Sequence, residues 1–188
     1  TIVESAGSTE VDESGTTDTF TVVLDAQPST KVVIAISSDD TGEATLSGTL
    51  EFLPVDWDTP QTVTVTGVDE NIIDGNQSST VTVIVVDSVS DNDFSGVDDQ
   101  TVSVTTTDDD VAGFTIVESG GSTEVAESGT TDTFTIVLDA EPASDVVLTI
   151  ASDDTGEATV NSPLTFTPAN WDTPQTITVT GIDEDIVD

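Results

Sequence analysis

The chain has 188 residues, and its 38 acidic residues against a single lysine, Lys31, give it a formal net charge of −37. One cation cannot neutralise nucleic-acid phosphates or an anionic membrane surface, so the composition excludes both as partners. The chain has no cysteine and no apolar run of the roughly 20 residues that span a bilayer, which excludes disulfides, cysteine-ligated zinc and direct membrane insertion.

Apolar and β-branched residues alternate with polar residues in seven segments, which predicts seven strands and no helix. In chain order these are A near 1–11, B near 18–25, C near 31–37, D near 44–53, E near 60–67, F near 79–87 and G near 100–107. Seven short strands separated by turns predict an immunoglobulin-like β-sandwich. Trp57 directly precedes strand E, and we expect its indole to cap the core.

The sequence repeats itself. Residues 1–74 align with residues 115–188 without a gap, and 52 of the 74 aligned positions are identical. A repeat of this length has the size of an independent domain. We therefore predict an all-β chain of tandem seven-stranded sandwiches, with domains at 1–110 and 111–188, the second lacking its last two strands. Two explanations stay open for the second repeat: the chain is part of a longer array, or a neighbouring chain supplies strands to it.

Acidic residues concentrate in the segments that antiparallel strands bring to one pole of the sandwich. These segments are the A–B, C–D and E–F loops and the end of strand G. They contain Glu13, Asp39, Asp40, Asp69, Glu70, Asp74, Asp108, Asp109 and Asp110. Carboxylates 4–6 Å apart repel each other by roughly 3–4 kcal/mol at an effective dielectric constant near 20, so this pole favours a bound cation.

Calcium suits such a pole because it takes six to eight oxygen ligands in a flexible shell. Magnesium fits less well because it requires octahedral geometry, and zinc is disfavoured without histidine or cysteine. A solvated acidic surface, as in a salt-adapted protein, is the other interpretation of the same residues. The segment from Asp91 to Gly96 resembles the first half of a calcium loop, but no acid stands at the twelfth position, Val102, and we interpret it as a polar turn.

Four short motifs point to a family. They are Glu-Ser-Gly at 13–15, Asp-Asp-Thr-Gly at 39–42, Val-Asp-Glu at 68–70 and Asp-Asp-Asp-Val-Ala-Gly-Phe at 108–114. With them, the whole chain resembles tandem Calx-β domains, which occur in sodium–calcium exchangers and in large bacterial surface and secreted proteins. The triple aspartate that leads directly into the next repeat is the most specific of these motifs.

The resemblance implies that calcium is held by the three loops and by the triple aspartate. Carried over by position, the ligands in the first repeat are the acidic residues named above, with Asp39 or Asp40 from the C–D loop. In the second repeat they are Glu127, Asp153 or Asp154, Asp183, Glu184 and Asp188. The family commonly has a further acid shortly after the position of Asp74, whereas this chain has Gly75, Asn76 and Gln77. Since the second repeat lacks its triple aspartate, we expect its site to be incomplete.

The function that follows is a calcium-binding structural repeat of a secreted or cell-surface protein, such as an adhesin stalk or filament. Neighbouring repeats are its partners, and calcium rigidifies the junction between them. The alternatives are a ligand-binding adhesin module that uses Phe94 and its loop, a calcium-sensing regulatory module, and a homo-polymer subunit completed by strand exchange. We expect no enzyme activity, because the chain has no histidine, cysteine, tyrosine or arginine with which to build a nucleophile site.

Overall fold

The computed structural model describes residues 1–183, and the protein is all-β, as the sequence predicts. It divides into two compact units. The first unit comprises residues 1–70 and 74–109, and the second comprises residues 71–73 and the chain from residue 110 onward. Among the described residues, no helix has the length and apolarity needed to cross a membrane.

The first unit is an immunoglobulin-like sandwich of two sheets. Its strands are β1 (Ile2–Glu4), β2 (Thr9–Asp12), β3 (Thr17–Val22), β4 (Val32–Ser38), β5 (Ala44–Leu46), β6 (Leu50–Phe52), β7 (Gln61–Gly67), β8 (Gln77–Val85) and β9 (Gln100–Thr107). One sheet has the order β1-β3-β7-β5 and the other β2-β9-β8-β4-β6. All neighbouring strands are antiparallel except β2 and β9, which are parallel.

The period-two alternation of the strands places one row of side chains between the two sheets. Phe20 and Val63 come from one sheet, Val81 and Val104 from the other, and all four are fully buried in one core. Each such burial contributes roughly 1.5–3 kcal/mol. Trp57 is half-buried and packs against the same core.

Two of the predicted strands, A and D, each divide in the structure, so the first unit has nine strands where seven were predicted. β1 pairs with β3 in one sheet, while β2 pairs with β9 in the other. In the same way, β5 pairs with β7 and β6 pairs with β4. The breaks fall at Gly7, which has a φ of +86°, and near Gly48. Each break lets the chain cross from one sheet to the other.

The loop between β8 and β9 is held by the side chain of Asp91. Its carboxylate accepts hydrogen bonds from the backbone N–H groups of Ser29 at 2.6 Å, Thr30 at 2.8 Å and Asp93 at 3.0 Å. These bonds lower the pKa of Asp91 to about 2. The carboxylate therefore fixes two loops to each other, as expected for a polar turn. Phe94 in the same loop is half-buried against the core.

The second unit contains a four-stranded sheet and a two-stranded sheet. Its strands are β10 (Phe114–Glu118), β11 (Thr131–Leu138), β12 (Val146–Leu148), β13 (Ala158–Val160), β14 (Leu164–Phe166) and β15 (Gln175–Gly181). The order β10-β11-β15-β13 reproduces that of the first sheet of the first unit, and β12 pairs with β14 as β4 pairs with β6.

Candidate metal centre

Glu13 is held in place by the turn that follows β2. The backbone N–H of Glu13 donates to the carbonyl oxygen of Thr107, at the end of β9, at 3.1 Å. The turn itself is closed by a bond from Gly15 N–H to the Asp12 carbonyl at 3.1 Å, and Gly15 has the left-handed φ of +87° that favours glycine. The end of β9 therefore brings Asp108 to the same place as Glu13.

The carboxylate of Glu13 is fully buried, with a relative exposure of 0%. Neither of its oxygens accepts a hydrogen bond from any described residue. A buried ionised carboxylate is very unfavourable unless a partner compensates its charge. This side chain is therefore the most informative single feature of the site.

Three other carboxylates of the first unit surround Glu13. Oxygens of Glu13, Glu70 and Asp74 lie within 4.8 Å of one another, and an oxygen of Asp108 lies within 4.8 Å of one of Glu13. Burial raises the pKa of Glu13 to about 7, and neighbouring negative charges add to that shift. The neighbours responsible are Asp108, Glu43, Glu70 and Asp74. This first-unit cluster brings together residues from the A–B loop, the E–F loop and the end of β9.

Asp108 links the end of β9 to the E–F loop. Its Oδ2 atom accepts a hydrogen bond from the backbone N–H of Gly75 at 2.7 Å. Gly75 directly follows Asp74, so this bond holds the two acidic segments side by side. The sequence predicted that these segments share one pole, and the structure places them together; their role as metal ligands stays a prediction.

Glu43 is a buried acid that the sequence analysis missed. It is 7% exposed, and its Oε2 atom accepts no hydrogen bond from the described residues. Burial and the charges of Glu70 and Asp74, with a smaller effect from Asp40, raise its pKa. Its carbonyl oxygen accepts a bond from Val68 N–H at 2.9 Å, which ties the C–D and E–F loops together. The sequence feature that could have indicated this residue is its position directly before Ala44, at the start of strand D. The same pair recurs in the second repeat as Glu157 and Ala158.

The other predicted ligands of the first repeat, apart from Asp110, are exposed. Asp39 accepts a hydrogen bond from the Thr80 backbone N–H at 2.6 Å, and Asp40 accepts one from Gly42 N–H at 2.9 Å. The Asp39 carboxylate therefore links the end of β4 to β8, and the Asp40 carboxylate stabilises its own turn. The remaining three are Asp69 and Asp109, which are exposed, and Asp110, which is half-buried and belongs to the second unit.

The predicted ligands of the second repeat do not form such a cluster among the described residues. Glu127, the counterpart of Glu13, is exposed, and so are Asp153, Asp154 and Asp183. Asp154 accepts a bond from Gly156 N–H at 2.9 Å, as Asp40 does in the first repeat. Glu184 and Asp188 lie outside the described residues. Glu127 is exposed because, within residues 110–183, no counterpart of β9 lies beside the segment that precedes it.

A close approach between two backbones fixes the position of Glu13. A Cβ atom added to Gly67, at the end of β7, would overlap the carbonyl oxygen of Asp12. Only glycine therefore lets the start of the E–F loop lie against the residue before Glu13. The same geometry recurs at Gly181, which faces Ala126.

We expect Gly67→Ala to destabilise the first unit by about 1–3 kcal/mol, because the added methyl group must displace backbone. It is also expected to weaken any metal site that includes Glu13, since Asp12 and Glu13 move together. Thermal denaturation followed by circular dichroism measures the first effect. Gly48→Ala is the matched control, because a Cβ at that position meets no atom within 4 Å. Equal melting temperatures for the two variants would contradict this account.

The first-unit cluster has the composition of a site for a hard divalent cation. It offers oxygen ligands only, and carboxylates at such distances repel by about 3–4 kcal/mol per pair at an effective dielectric constant of 20. A bound cation removes that repulsion and supplies the partner that Glu13 lacks. The described residues therefore contain an acidic cluster that could hold a metal ion.

Comparison with known proteins found similarity to solved structures and no match among family models or curated proteins. The calcium-binding domain CBD12 of CALX1.1 is 16% identical with a TM-score of 0.41, and the match covers 98% of this chain and 76% of that one. The E. coli chaperone DraB is 9% identical with a TM-score of 0.42, covering 99% and 88%. A Bacteroides ovatus GH5 xyloglucanase is 20% identical with a TM-score of 0.37, covering 57% of this chain but 19% of that one. Similarity at this level assigns no function to the chain.

Proposed function

We propose that the first unit is a calcium-binding β-sandwich and that the chain is a structural repeat of an extracellular or cell-surface protein. The observation that carries the proposal is the carboxylate of Glu13, which is fully buried and accepts no hydrogen bond from the described residues. Three further carboxylates lie beside it. A buried cation is the simplest partner for this arrangement, because the chain has one lysine and that residue is exposed.

The chemistry of the ligands favours calcium over other cations. Glu13, Glu70, Asp74 and Asp108 supply oxygen atoms, and loop carbonyls and water can complete a shell of six to eight. The chain has no histidine or cysteine, which are the usual ligands of zinc. Glu43 adds a fifth negative charge to the surroundings of Glu13. The role proposed for this site is metal binding and not catalysis.

The structural role in this proposal follows from the order of the segments along the chain. Asp108, Asp109 and Asp110 follow β9 directly, and β10 begins at Phe114, so the connection between the two repeats is short. We expect calcium held by this connection to restrict the angles that the two repeats can adopt. Repeats of similar sequence then form a stalk or filament in which neighbouring repeats are the partners. Without calcium, like charges in the connection repel each other and the junction becomes a hinge.

We expect Asp109→Asn combined with Asp110→Asn to leave the full chain flexible even in calcium. Small-angle scattering measures this as a broad distribution of maximum dimensions, whereas the wild-type chain in calcium gives a narrow one. The control is Asp98→Asn with Asp99→Asn, which removes the same charge from the exposed loop between β8 and β9. If calcium binds but does not narrow the wild-type distribution at matched ionic strength, the rigidifying role is wrong and the calcium site remains.

A further inference from the structure

A groove on the first unit lies between the end of β8 and the loop that leads into β9. It has a volume of about 560 Å³ and is lined by residues 84, 85, 87 and 96–99. β8 runs from Gln77, which follows the E–F loop, to Val85, so the groove lies at the opposite end of this strand from the acidic cluster. The groove shares no residue with the candidate metal centre, so a ligand in the groove needs no calcium.

The end of β8 has no strand partner on the side that faces the groove. The pairing of β8 with β9 stops at Val83 and Gln100. Val86 N–H donates to the Val33 carbonyl oxygen of β4 at 2.9 Å. Because successive residues of a strand turn their N–H and carbonyl groups to opposite sides, those of Val85 point to the side of β9. The groove, which Val85 lines, therefore offers a main-chain donor and acceptor to a ligand.

The other wall of the groove belongs to a loop that the first unit holds in place. Asp91 N–H donates to the Lys31 carbonyl oxygen at 2.9 Å, and the Asp91 carboxylate accepts the bond from Ser29 N–H described above. Val97 N–H donates to the Phe94 carbonyl oxygen at 3.3 Å, which closes the turn that enters the groove. A wall that is already ordered spares a ligand the entropic cost of ordering it.

Apolar and acidic side chains line the groove together. Ile84 and Val97 are 39% and 49% exposed, so their apolar surface is open to a ligand. Asp87, Asp98 and Asp99, the acidic rim, are exposed beside them, and nothing in residues 1–183 donates a hydrogen bond to these three carboxylates. A long cationic side chain suits such a lining, because its methylene stem covers apolar surface while its charged end meets carboxylates.

We propose that this groove binds an extended segment of a partner protein that carries lysine or arginine. The stem of one cationic side chain covers Ile84 and Val97, and its charged end meets the acidic rim. The main chain of the same segment exchanges hydrogen bonds with Val85. Charge complementarity requires a partner other than this chain, because its one cationic side chain, Lys31, is already paired with Glu51 at 2.9 Å.

A synthetic peptide, acetyl-Ser-Lys-Ser-Lys-Ser-amide, tests this with the full 188-residue chain. When the peptide is extended, its two lysines share one face. Amide chemical shifts follow the titration without calcium, at pH 6.5 and about 0.15 M salt, where the screening length is about 8 Å and distant charges contribute little. Saturable shifts are expected at residues 84–87 and 96–99. A peptide with diaminobutyrate in place of lysine keeps the charge but has a shorter methylene stem, and it is expected to bind at least about threefold more weakly.

Changes in the groove separate its binding from the negative charge of the whole chain. Asp98→Asn combined with Asp99→Asn is expected to weaken binding of the lysine peptide about fivefold, because two exposed ion pairs are lost. The matched control, Asp145→Asn combined with Asp172→Asn, removes the same charge from exposed positions of the second unit and is expected to change affinity less than about twofold. Val97→Ser removes apolar surface from the groove and is expected to weaken binding about threefold.

Four results would overturn the inference. The first is that the lysine peptide shifts none of the groove amides at millimolar concentration. The second is equal weakening by the two double variants, which would make binding a property of the overall charge. The third is equal affinity for the lysine and diaminobutyrate peptides, which would leave the apolar surface without a role. The fourth is a dimer of the chain, seen by sedimentation, that Val97→Ser dissociates, because a second copy would then occupy the groove.

Discussion

Calcium at about one hundred times its dissociation constant is expected to stabilise the first unit by about 2.7 kcal/mol. For a domain of this size, that corresponds to a rise in melting temperature of roughly 10–15 °C. The physical reason is that oxygens of Glu13, Glu70 and Asp74 lie within 4.8 Å of one another, so a bound cation relieves the repulsion between these carboxylates once they are ionised. Differential scanning calorimetry of the full chain, in calcium and in excess chelator, measures the shift and resolves the transitions of the two units.

Magnesium at the same concentration is the control for charge screening. It neutralises surface charge to a similar degree but adapts poorly to an irregular oxygen shell, so its effect is expected to be much smaller. The transition of the second unit is expected to move little, since Glu127 is exposed there. If calcium and magnesium raise the melting temperature equally, the acidic pole is a solvated surface and the chain is a salt-adapted spacer.

Glu13→Gln is expected to have opposite effects on stability and on calcium binding. In the metal-free protein above pH 7, the variant removes a buried charge that no hydrogen bond compensates and keeps the side-chain volume. The free energy of unfolding of the first unit should therefore rise by about 1–3 kcal/mol. Calcium affinity should fall at least about 100-fold, because the site loses both a ligand and a charge. Chemical denaturation and calorimetric titration measure the two effects.

The role of Glu13 also predicts the direction in which the stability of the metal-free first unit changes with pH. In the folded protein burial raises the pKa of Glu13 to about 7, from an ordinary value of 4.5. Between these two values the unfolded chain has lost the proton and the folded protein keeps it. Stability of the metal-free first unit therefore falls as pH rises from about 4.5 to 7, by at most about 3 kcal/mol from this group, and then levels off. Glu13→Gln is expected to remove that part of the slope.

Glu127→Gln is the matched control for both experiments. The residue occupies the same position in the second repeat but is exposed, so its substitution is expected to change stability by less than about 0.5 kcal/mol. A Glu13→Gln variant that is less stable than the wild type in chelator at pH 8, or that binds calcium with unchanged affinity, would contradict the role given to Glu13.

The sequence predicts most of the fold because alternation is a local signal. The segments predicted as B, C, E, F and G all form strands, and strand G is placed at 100–107, as β9 is. The division of A and D could not be read from alternation, because both halves of each segment keep their inward residues. What divides them is the sheet that each half joins, which depends on pairing partners distant in sequence.

For the candidate site, the predicted strand topology showed which acidic loops meet. The sequence could not show which contacts each acidic side chain makes there. The convergence of Glu13, Glu70, Asp74 and Asp108 follows from which loops share a pole. The sequence could not show that Asp39 would accept a bond from the Thr80 backbone, since that contact depends on the register between β4 and β8. Glu43 was missed because an acid beside a strand usually faces solvent, whereas here the loops close over it.

The most direct test of the central claim is anomalous diffraction from crystals of the chain grown in calcium. The account predicts an anomalous peak beside the Glu13 carboxylate, with a Glu13 oxygen about 2.3–2.6 Å from the ion and oxygens of Glu70, Asp74 or Asp108 completing the shell. No peak at this position at saturating calcium, with Glu13 still buried and without a partner, would contradict the account.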